Sequence, residues 1–592
     1  MPSVILDYLS PEQPQAAPLK STVVPHLASD PTSTLPSSDK ENRPKRVGII
    51  GAGTGGVGAL LALLDLPEST RRGWTIEVLE KRGDVGGIWL PDEHDHSASS
   101  GTVPETPLYP ALRTNTAIPT MTFTSHPFPP NTPLFPSHTH IHAYHRNVIS
   151  DSNLSHYLHF NRAVEHASWE EGRWVVQVAH LDGEGGGEGE KGKWVEVKEY
   201  DHIVVATGRY HQPSIPHWPG EEEWVAAASS EGEREIVHSL WYRGPEKYQG
   251  KTVVVVGFGA SGWDIATQVE TQAEVTYHSY TPHPESPVQL PPVPGTIYKS
   301  RISHFTPTAI HFTDGSSVST VDKKTSIVLA TGYILSIPFL SPHLLSQAPL
   351  PLPPATPPAN LTTNGAYLRA LYRDVLVLDP RLPPNALGLI GLPWFIAAAQ
   401  ASYIQGLLCA HAFANEDHGR LLPGGTRQGA LRELEEEEER RRKDGEGEPF
   451  IEGHKFSRAG AAEAYQDSLL SLLHSRSSVP LPPMFSNPST PYVPEWRRWG
   501  RAQTINLRRA FLRAVQEGVE EQLFRAKGKY GLGVEEMERE WVEVMHALSE
   551  WEEKRKEEDE REGGREKVRF GEEREGRPLV VLEEGAGAVE VN

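Results

Sequence analysis

Residues 46–64, RVGIIGAGTGGVGALLALL, begin as an apolar run, turn through closely spaced glycines and continue with helical periodicity. Residues 251–266, KTVVVVGFGASGWDIA, repeat the pattern further along the chain. A strand, a G-x-G-x-x-G turn and a helix together place backbone N–H groups and a helix N-terminus against a diphosphate. The two stretches therefore predict two dinucleotide-binding units in one α/β chain.

In the first stretch each glycine has its own task. Gly51 permits the tight turn, Gly53 lets the backbone approach a pyrophosphate, and Gly56 allows helix and strand to pack closely. The next apolar run, WTIEVLE, ends at Glu80, where an acceptor for ribose hydroxyls is expected. Strand, helix and terminal acid in register favour a nucleotide site over a simple tight turn.

In the second stretch Gly257, Gly259 and Gly262 repeat this geometry, but the following strand, EVTYHSY, ends without an acid. Because a carboxylate there would repel a 2′-phosphate, its absence is compatible with NADP. Two such turns suggest that one dinucleotide is held as a redox group and that another visits as reductant.

Composition excludes several classes of function. The 592 residues include 57 Lys plus Arg and 78 Asp plus Glu, a net charge of −21 that disfavours nucleic acid and anionic membrane surfaces. The single cysteine, Cys409, rules out a disulfide framework and the paired-thiol chemistry of disulfide reductases. No apolar stretch reaches the roughly 18–20 residues of a membrane span, and the start lacks a secretory signal, so we expect a cytoplasmic protein.

Six short stretches, taken in order, resemble the flavin-containing monooxygenase family. They are GAGTGG, VLEKRGDVGGIW, LYPALRTN, ATGRYHQPSIPHWPG, VGFGASGWDIA and LATGYILSIPFL, and the resemblance covers roughly residues 46–475. It implies an α/β protein with two Rossmann-like nucleotide-binding domains, in which an NADP domain is inserted in a discontinuous FAD domain. A helical C-terminal extension follows.

The resemblance and the composition together divide the chain into successive segments. These are a disordered leader over 1–44, the first part of the FAD-binding domain over 45–222, the NADP-binding domain over 223–322, the second part of the FAD-binding domain over 323–475 with a charged insertion at about 430–448, and a helical extension with a disordered tail over 476–592.

The resemblance also assigns residues to FAD and NADPH. It places Gly51, Gly53, Thr54, Gly55, Gly56, Glu80, Ile88, Trp89, Thr114, Asn115 and Thr116 in the FAD site. It places Gly257, Gly259, Ser261, Gly262 and Asp264 in the NADPH site, with Thr331 and Gly332 where the domains connect. In this family the matching asparagine stabilises the oxygenated flavin, so Asn115 is the expected catalytic residue, and Gln400 matches a flavin-proximal glutamine.

The implied activity is that of an NADPH-dependent flavin monooxygenase similar to N,N-dimethylaniline monooxygenase. NADPH reduces the flavin, dioxygen converts it to a peroxyflavin, and a soft nitrogen or sulfur atom of a small molecule takes one oxygen. Two alternatives stay open: a Baeyer-Villiger ketone monooxygenase, and a nucleotide-binding scaffold that has lost oxygenation. The second is motivated by Gly232, Arg234 and Ala260, which replace the Phe and Gly of the family's interdomain signature and the Asn of its GxGNSG turn.

Two further patterns have simpler interpretations. The histidines of SHTHIHAYH, His138, His140, His142 and His145, could bind a metal on an exposed strand, but no carboxylate or cysteine is nearby in sequence. We therefore expect structural histidines and no metal site. The run ALRELEEEEERRRKDGEGE favours a solvated helix or an insertion, and DGEGGGEGEKGK favours an expanded hairpin tip.

Overall fold

The computed structural model describes residues 44–92, 103–129, 132–182, 194–228, 232–280, 293–348, 359–415, 417, 419–519 and 534–561. Three sequence predictions lie outside these residues: the leader up to residue 43, most of the glycine-glutamate hairpin tip, at 183–193, and the tail beyond 561.

The first part of the chain forms a βαβ unit followed by an antiparallel sheet. Its elements are β1 (Arg46–Ile50), α1 (Thr54–Leu64), β2 (Thr75–Leu79), α2 (His138–Asp151), β3 (Leu158–His159), β4 (Arg162–Glu170), β5 (Arg173–His180), β6 (Trp194–Tyr200) and β7 (His202–Val205). The apolar runs recognised in the sequence are the parallel strands, since a strand covered on both faces needs apolar residues throughout.

A second βαβ unit follows with its own sheets. Its elements are α3 (Glu221–Ala226), β8 (Arg234–His238), β9 (Thr252–Val256), α4 (Ala260–Glu270), β10 (Val275–Ser279), β11 (Thr296–Lys299), β12 (Ile302–Thr306), β13 (Ala309–Phe312), β14 (Ser317–Ser319) and β15 (Thr325–Leu329). The last part adds β16 (Leu371–Tyr372), β17 (Leu376–Val377), β18 (Leu387–Leu389), α5 (Ala398–Ala414), α6 (Arg427–Lys443), α7 (Ala461–Arg476), α8 (Glu495–Ala502), α9 (Thr504–Gln516) and α10 (Val534–Arg561).

The two large sheets share the strand order around their glycine turns: β7-β1-β2-β3 in the first corresponds to β15-β9-β10-β11 in the second. The first runs β16-β17-β18-β7-β1-β2-β3, with β18 through β3 parallel, and the second runs β11-β10-β9-β15-β8, parallel throughout. The first sheet takes strands from both sides of the second in sequence. This confirms the predicted α/β fold with one βαβ unit inserted in another, and it puts both glycine turns at the carboxyl edges of their sheets.

The chain passes between the two units through a short pair of segments. Gln212–Pro213 pairs antiparallel with Tyr333–Ile334, and the Ser214 N–H donates to the Gly332 carbonyl at 2.9 Å. We call these segments the crossing pair. They place the exit from the first unit beside the return to it.

The C-terminal helices belong to the main hydrophobic core. Leu507, Phe511, Trp541 and Met545 lie in the same buried cluster as β1 and α1, and the Phe511 ring lies 5.3 Å from that of Phe135. The helical extension predicted from the sequence is therefore confirmed as helical. Its packing against the first unit makes it part of that unit's core.

Helix α6 corrects the prediction of a fully solvated charge run. Most of its acidic residues are exposed, but Glu438 and Arg441 are buried. Arg369 donates from Nε to Glu438 at 3.1 Å, and Arg441 donates from Nη2 to the Gly453 carbonyl at 3.0 Å. Of the two expected alternatives, a solvated helix or an insertion, the segment is helical, but two of its charges anchor it to the protein.

In the part of the chain that the structure describes, no helix is both long enough and apolar enough to cross a membrane.

Candidate functional site

The first glycine turn is shaped as the sequence predicts. Gly51 has a φ of +103°, and a Cβ built on Gly56 would lie 1.8 Å from the Gly51 carbonyl oxygen. Gly53 is the N-cap of α1, and Gly55 lies against Ala206. A side chain is excluded at Gly56, so the backbone forms a closed cradle at the N-terminus of α1.

Glu80 closes this cradle at the end of β2. Its Oε2 accepts the Ala52 N–H at 2.7 Å and its Oε1 accepts the Arg82 N–H at 2.9 Å. Burial raises the pKa of Glu80, while the two backbone hydrogen bonds oppose that shift. The carboxylate thus lies beside the turn, where the sequence predicts a group for the ribose.

The segment containing Ile88 and Trp89 covers the same cradle. The Gly86 N–H donates to the Ala52 carbonyl at 3.0 Å, and a Cβ on Gly87 would lie 2.9 Å from the Gly53 Cα. Trp89 packs against the core and the Ile88 carbonyl accepts the Thr106 hydroxyl at 2.6 Å.

Thr54, in the first turn of α1, is held by a buried histidine. His145 Nδ1 lies 2.8 Å from the Ile141 carbonyl, which can only accept, and burial lowers the His145 pKa to about 4. A neutral ring that donates from Nδ1 accepts at Nε2, so the Thr54 hydroxyl donates to Nε2 across 2.9 Å. An anion at this helix end would therefore meet backbone N–H groups rather than the Thr54 proton.

Two buried polar groups near the predicted flavin side have no partner among the described residues. They are the Thr114 hydroxyl and Gln400 Nε2. Buried polar groups are normally hydrogen-bonded, so these two unpaired atoms suit a polar partner that is not part of the chain. The shape of the first cradle and these two groups fit FAD. The neighbouring Thr116 hydroxyl faces the Met121 sulfur at 3.6 Å.

The second glycine turn repeats the first. Gly257 has a φ of +102°, and a Cβ on Gly262 would lie 2.0 Å from the Gly257 carbonyl oxygen. Gly259 is the N-cap of α4, and a Cβ built there meets no atom within 4 Å. Gly259 and Ser261 are exposed, so the N-terminus of α4 is open to a ligand.

Both ATG segments lie against the glycine turn of their own unit. A Cβ on Gly51 would approach the Ala206 carbonyl oxygen to 2.8 Å, and one on Gly257 would approach that of Ala330 to 2.4 Å. This follows from topology, because the strand before each ATG is parallel to the strand before each turn. Thr331 and Gly332 then enter the crossing pair, where the Thr331 hydroxyl donates to the Ser214 carbonyl.

Asp264 joins the two units rather than standing free at the second turn. Its Oδ2 accepts hydrogen bonds from Tyr109 of the first unit and from Gln268 Nε2 at 3.0 Å. Its Oδ1 accepts from Arg508 Nη2 at 3.2 Å, and Arg508 Nη1 donates to Asn115 Oδ1 at 2.7 Å. The predicted flavin-side and NADP-side residues therefore face one shared region.

Asp92 forms a second bridge between the units. It accepts from Arg82 of the first unit at 3.4 Å and from Arg243 of the second at 3.3 Å. The two units are thus also joined by charge at Asp92.

Arg234, one of the departures from the family pattern, has a structural role. Arg234 donates to the carbonyl oxygens of Trp224 and Pro307, both at 2.7 Å, and so ties α3 to its sheet. Ser279 is buried at the end of β10 and donates to the Ser300 carbonyl at 2.8 Å. Ala260 is exposed in the first turn of α4.

The four histidines of SHTHIHAYH lie on helix α2, not on an exposed strand. His142 pairs with Asp84 at 3.0 Å. Among the residues that the structure describes, no group of three potential metal-binding side chains lies close enough to hold an ion.

Sequence reasoning missed Tyr109 and Arg508, and it named His145 only as a structural histidine. Tyr109 lies within LYPALRTN, and His145 lies within the histidine run, but neither spacing indicates its partner. Arg508 lies far from every recognised motif, and only tertiary packing brings it to Asn115.

Residues 44–282 match the family model described as flavin-binding monooxygenase-like. The thiol-specific monooxygenase of Saccharomyces cerevisiae is 28% identical over 310 residues, which are 51% of this chain and 64% of that protein. The senecionine N-oxygenase of Tyria jacobaeae is 26% identical over 370 residues, 62% of this chain and 72% of that protein. The chain thus spans less than two thirds of the yeast protein's length.

The fold is also found among solved structures. The S-allyl-L-cysteine S-oxygenase of Allium sativum superposes with a TM-score of 0.58 at 23% identity, covering 81% of this chain and 99% of that one. At this identity the likeness supports the two-unit fold.

Proposed function

We propose that the protein is an FAD-dependent, NADPH-consuming monooxygenase that oxygenates a sulfur or nitrogen atom of a small molecule, since residues 44–282 match the flavin-binding monooxygenase-like family model. The observation that carries this proposal is the pair of glycine cradles, one in each unit, whose neighbouring residues Asn115 and Asp264 share one guanidinium. Two dinucleotides bound at these cradles would face one common region.

FAD is assigned to the first cradle. Gly51, Gly53 and Gly56 leave room for its pyrophosphate at the N-terminus of α1, with Thr54 and Gly55 beside them. Glu80 would accept hydrogen bonds from ribose hydroxyls. The buried Thr114 hydroxyl and Gln400 Nε2, which have no partner among the described residues, would bond to the cofactor. Ile88, Trp89 and Thr116 complete the assigned site. When bound, FAD would supply hydride acceptance and the activation of dioxygen.

NADPH is assigned to the second cradle. Gly257, Gly259, Ser261 and Gly262 form an exposed helix N-terminus suited to its pyrophosphate. No carboxylate ends β10, and the neighbouring strand β11 places Lys299 in register with Ser279. The absence of a carboxylate at the end of β10 favours a 2′-phosphate. Thr331 and Gly332 are assigned to the same side.

The protein's own residues bind, orient and exclude water. Overall, NADPH, a proton, dioxygen and substrate give NADP⁺, water and a substrate that has gained one oxygen atom. No side-chain base is needed to remove a proton from carbon, because a sulfur or nitrogen lone pair attacks oxygen directly. Asn115 is the proposed catalytic residue, and its amide N–H groups are suited to stabilise a negative charge developing beside the flavin.

The substrate atom is proposed from chemistry that two relatives share. The Saccharomyces cerevisiae relative is named a thiol-specific monooxygenase, and the Tyria jacobaeae relative is named a senecionine N-oxygenase. Sulfur and nitrogen nucleophiles both carry a soft lone pair. A sulfur or nitrogen nucleophile is therefore the expected substrate class.

The test begins with a visible spectrum of the purified protein. A flavin spectrum that NADPH bleaches under nitrogen and that returns in air is the expected result. Product analysis with a thioether, a tertiary amine and a ketone should then show sulfoxide or N-oxide. An ester from the ketone would instead indicate Baeyer-Villiger chemistry, and a colourless protein that does not oxidise NADPH would indicate a scaffold without oxygenation.

A further inference from the structure

Arg508, on the C-terminal helix α9, contacts residues of the proposed active site. Arg508 donates from Nη1 to Asn115 Oδ1 at 2.7 Å and from Nη2 to Asp264 Oδ1 at 3.2 Å. Its guanidinium also lies 5.5 Å from the centre of the Trp263 ring. One side chain therefore contacts the flavin-side loop and the first turns of α4, and neither of these belongs to its own helix.

The position of Arg508 is set by packing of its neighbours. Leu507 and Phe511, four residues apart on α9, are both buried in the main core. Residues at this spacing share a helix face, so the burial of these two fixes the rotation of α9. Arg508 follows Leu507 directly, and its side chain is only 15% exposed. The arginine is thus held at the cleft by the core beneath it.

This contact decides how the Asn115 amide is turned. A guanidinium has donors and no acceptor, so the Asn115 atom that faces it must be the carbonyl oxygen. The two N–H bonds of Nδ2 are then left for another partner. Rotation of the amide by half a turn would place N–H against N–H and break the contact.

Asp264 completes the arrangement by balancing the charge. Burial raises the pKa of Tyr109, and the adjacent Asp264 carboxylate adds to the shift, so Tyr109 stays a hydrogen-bond donor to Asp264. Arg508 is therefore anchored by a carboxylate that is itself fixed from the opposite unit. A half-buried cation held in this way has little freedom to turn away from Asn115.

We infer that Arg508 is a positioning residue of the active site: it orients the Asn115 amide so that its N–H groups face the flavin, and it makes the C-terminal helices a required part of the site. This inference rests on the proposed function. Arg508 lies outside residues 44–282, the part of the chain that matches the family model.

The experiment compares the holoenzyme with Arg508→Ala, Arg508→Lys, Asn115→Ala and the double variant Arg508→Ala/Asn115→Ala. The matched control is Arg509→Ala, which removes a neighbouring arginine whose partner is Glu552. The measurements are FAD content, hydrogen peroxide released per NADPH oxidised with a thioether present, and denaturant unfolding of the FAD-free proteins.

Arg508→Ala should keep its FAD and release about tenfold more peroxide per NADPH, the factor expected when a hydrogen bond to a charged group is lost. Asn115→Ala should raise peroxide release by a similar factor. The double variant should release no more peroxide than either single variant, since both changes remove the effect of the same Asn115 amide. Peroxide release by Arg508→Lys should lie between that of the wild type and that of Arg508→Ala. An ammonium keeps the attraction to Asp264 but lacks the planar guanidinium that donates to two acceptors at once. Arg509→Ala should match the wild type.

In the FAD-free proteins the two single changes should be non-additive in the unfolding midpoint. Two results would overturn the inference and leave the proposed function standing. One is wild-type peroxide release per NADPH in Arg508→Ala when Asn115→Ala releases much more peroxide. The other is strict additivity of the two changes in peroxide release or in unfolding. A wild-type protein without FAD or NADPH oxidation overturns the proposed function, and the inference with it.

Discussion

At the residue scale, three buried histidines share one electrostatic condition. Burial lowers the pKa of His145, His238 and His411 to about 4, from an ordinary value of 6.5. His145 and His238 each have a ring nitrogen against a backbone carbonyl, of Ile141 and Gly332 respectively. All three rings are therefore neutral in the folded protein at pH 7.

These histidines predict a loss of stability on mild acidification. Between pH 6.5 and 4 the unfolded chain binds protons at these positions and the folded protein does not, so unfolding is favoured as the pH falls. Each histidine contributes a slope of up to about 1.4 kcal/mol per pH unit within that window. Denaturant unfolding at pH 7, 6 and 5 should show falling stability, and His411→Gln should reduce the slope by about one histidine's share. A slope that the substitution leaves unchanged would contradict this assignment.

The candidate site was only partly predictable at this scale. The shape of the glycine turns and the position of Glu80 beside the first turn were predictable, because both depend on sequence-local geometry. Arg508 and His145 were not, because each acts on a residue distant in sequence, Asn115 and Thr54, and such pairs are decided by packing. The departure at Arg234 was recognised, but its use as a donor to backbone carbonyls depends on neighbouring elements.

At the element scale, the two glycine turns are alike in backbone and differ in surroundings. The first is covered by the segment that carries Gly87, whereas a Cβ at Gly259 of the second meets nothing within 4 Å. The first cradle is thus suited to a resident cofactor, and the second to one that enters and leaves.

Gly259→Ala and Gly262→Ala form a matched pair of tests for the second cradle. Gly259 has a φ of −76°, which alanine adopts, so Gly259→Ala should cost less than about 1 kcal/mol of stability. Its methyl group would nevertheless stand where a pyrophosphate approaches, so NADP⁺ affinity should fall on the order of tenfold, about 1.4 kcal/mol. Gly262→Ala should instead destabilise by about 1–3 kcal/mol, because its Cβ would lie 2.0 Å from a carbonyl oxygen.

Titration calorimetry with NADP⁺ and thermal unfolding separate the two variants. Unchanged NADP⁺ affinity in Gly259→Ala would place the nucleotide elsewhere.

Elements were predictable where apolar periodicity was strong. The parallel strands, α1 and α4 follow the expected pattern. Helix α6 was predicted as a helix, but the burial of Glu438 was not, because a charge run alone does not show which side faces Arg369. Helix α2 was missed as an element, since its histidines and threonine give a weak helical signal.

At the scale of the whole molecule, the C-terminal helices complete the core of the first unit. Leu507, Phe511, Trp541 and Met545 are each at most 3% exposed. A chain that ends at residue 486 would lose all four. At about 1.5–3 kcal/mol for each buried side chain, the loss is comparable to the entire 5–15 kcal/mol stability of a typical domain.

Truncation at residue 486 should therefore give little folded protein. A chain that ends after Arg561 keeps every described helix and should unfold at the same temperature as the full chain. Soluble yield and thermal unfolding of the two truncated proteins make the comparison. A well-folded protein ending at 486 would show that the first unit has a sufficient core without these helices.

The crossing pair has a mechanical consequence. The inserted unit leaves and re-enters the rest of the chain through two adjacent, hydrogen-bonded segments. Its covalent attachment to the rest of the molecule therefore lies along a single line. We expect any movement between the two units to be a rotation about that line. Because Arg508 bonds both Asn115 and Asp264, one on each unit, such a rotation has to break these hydrogen bonds.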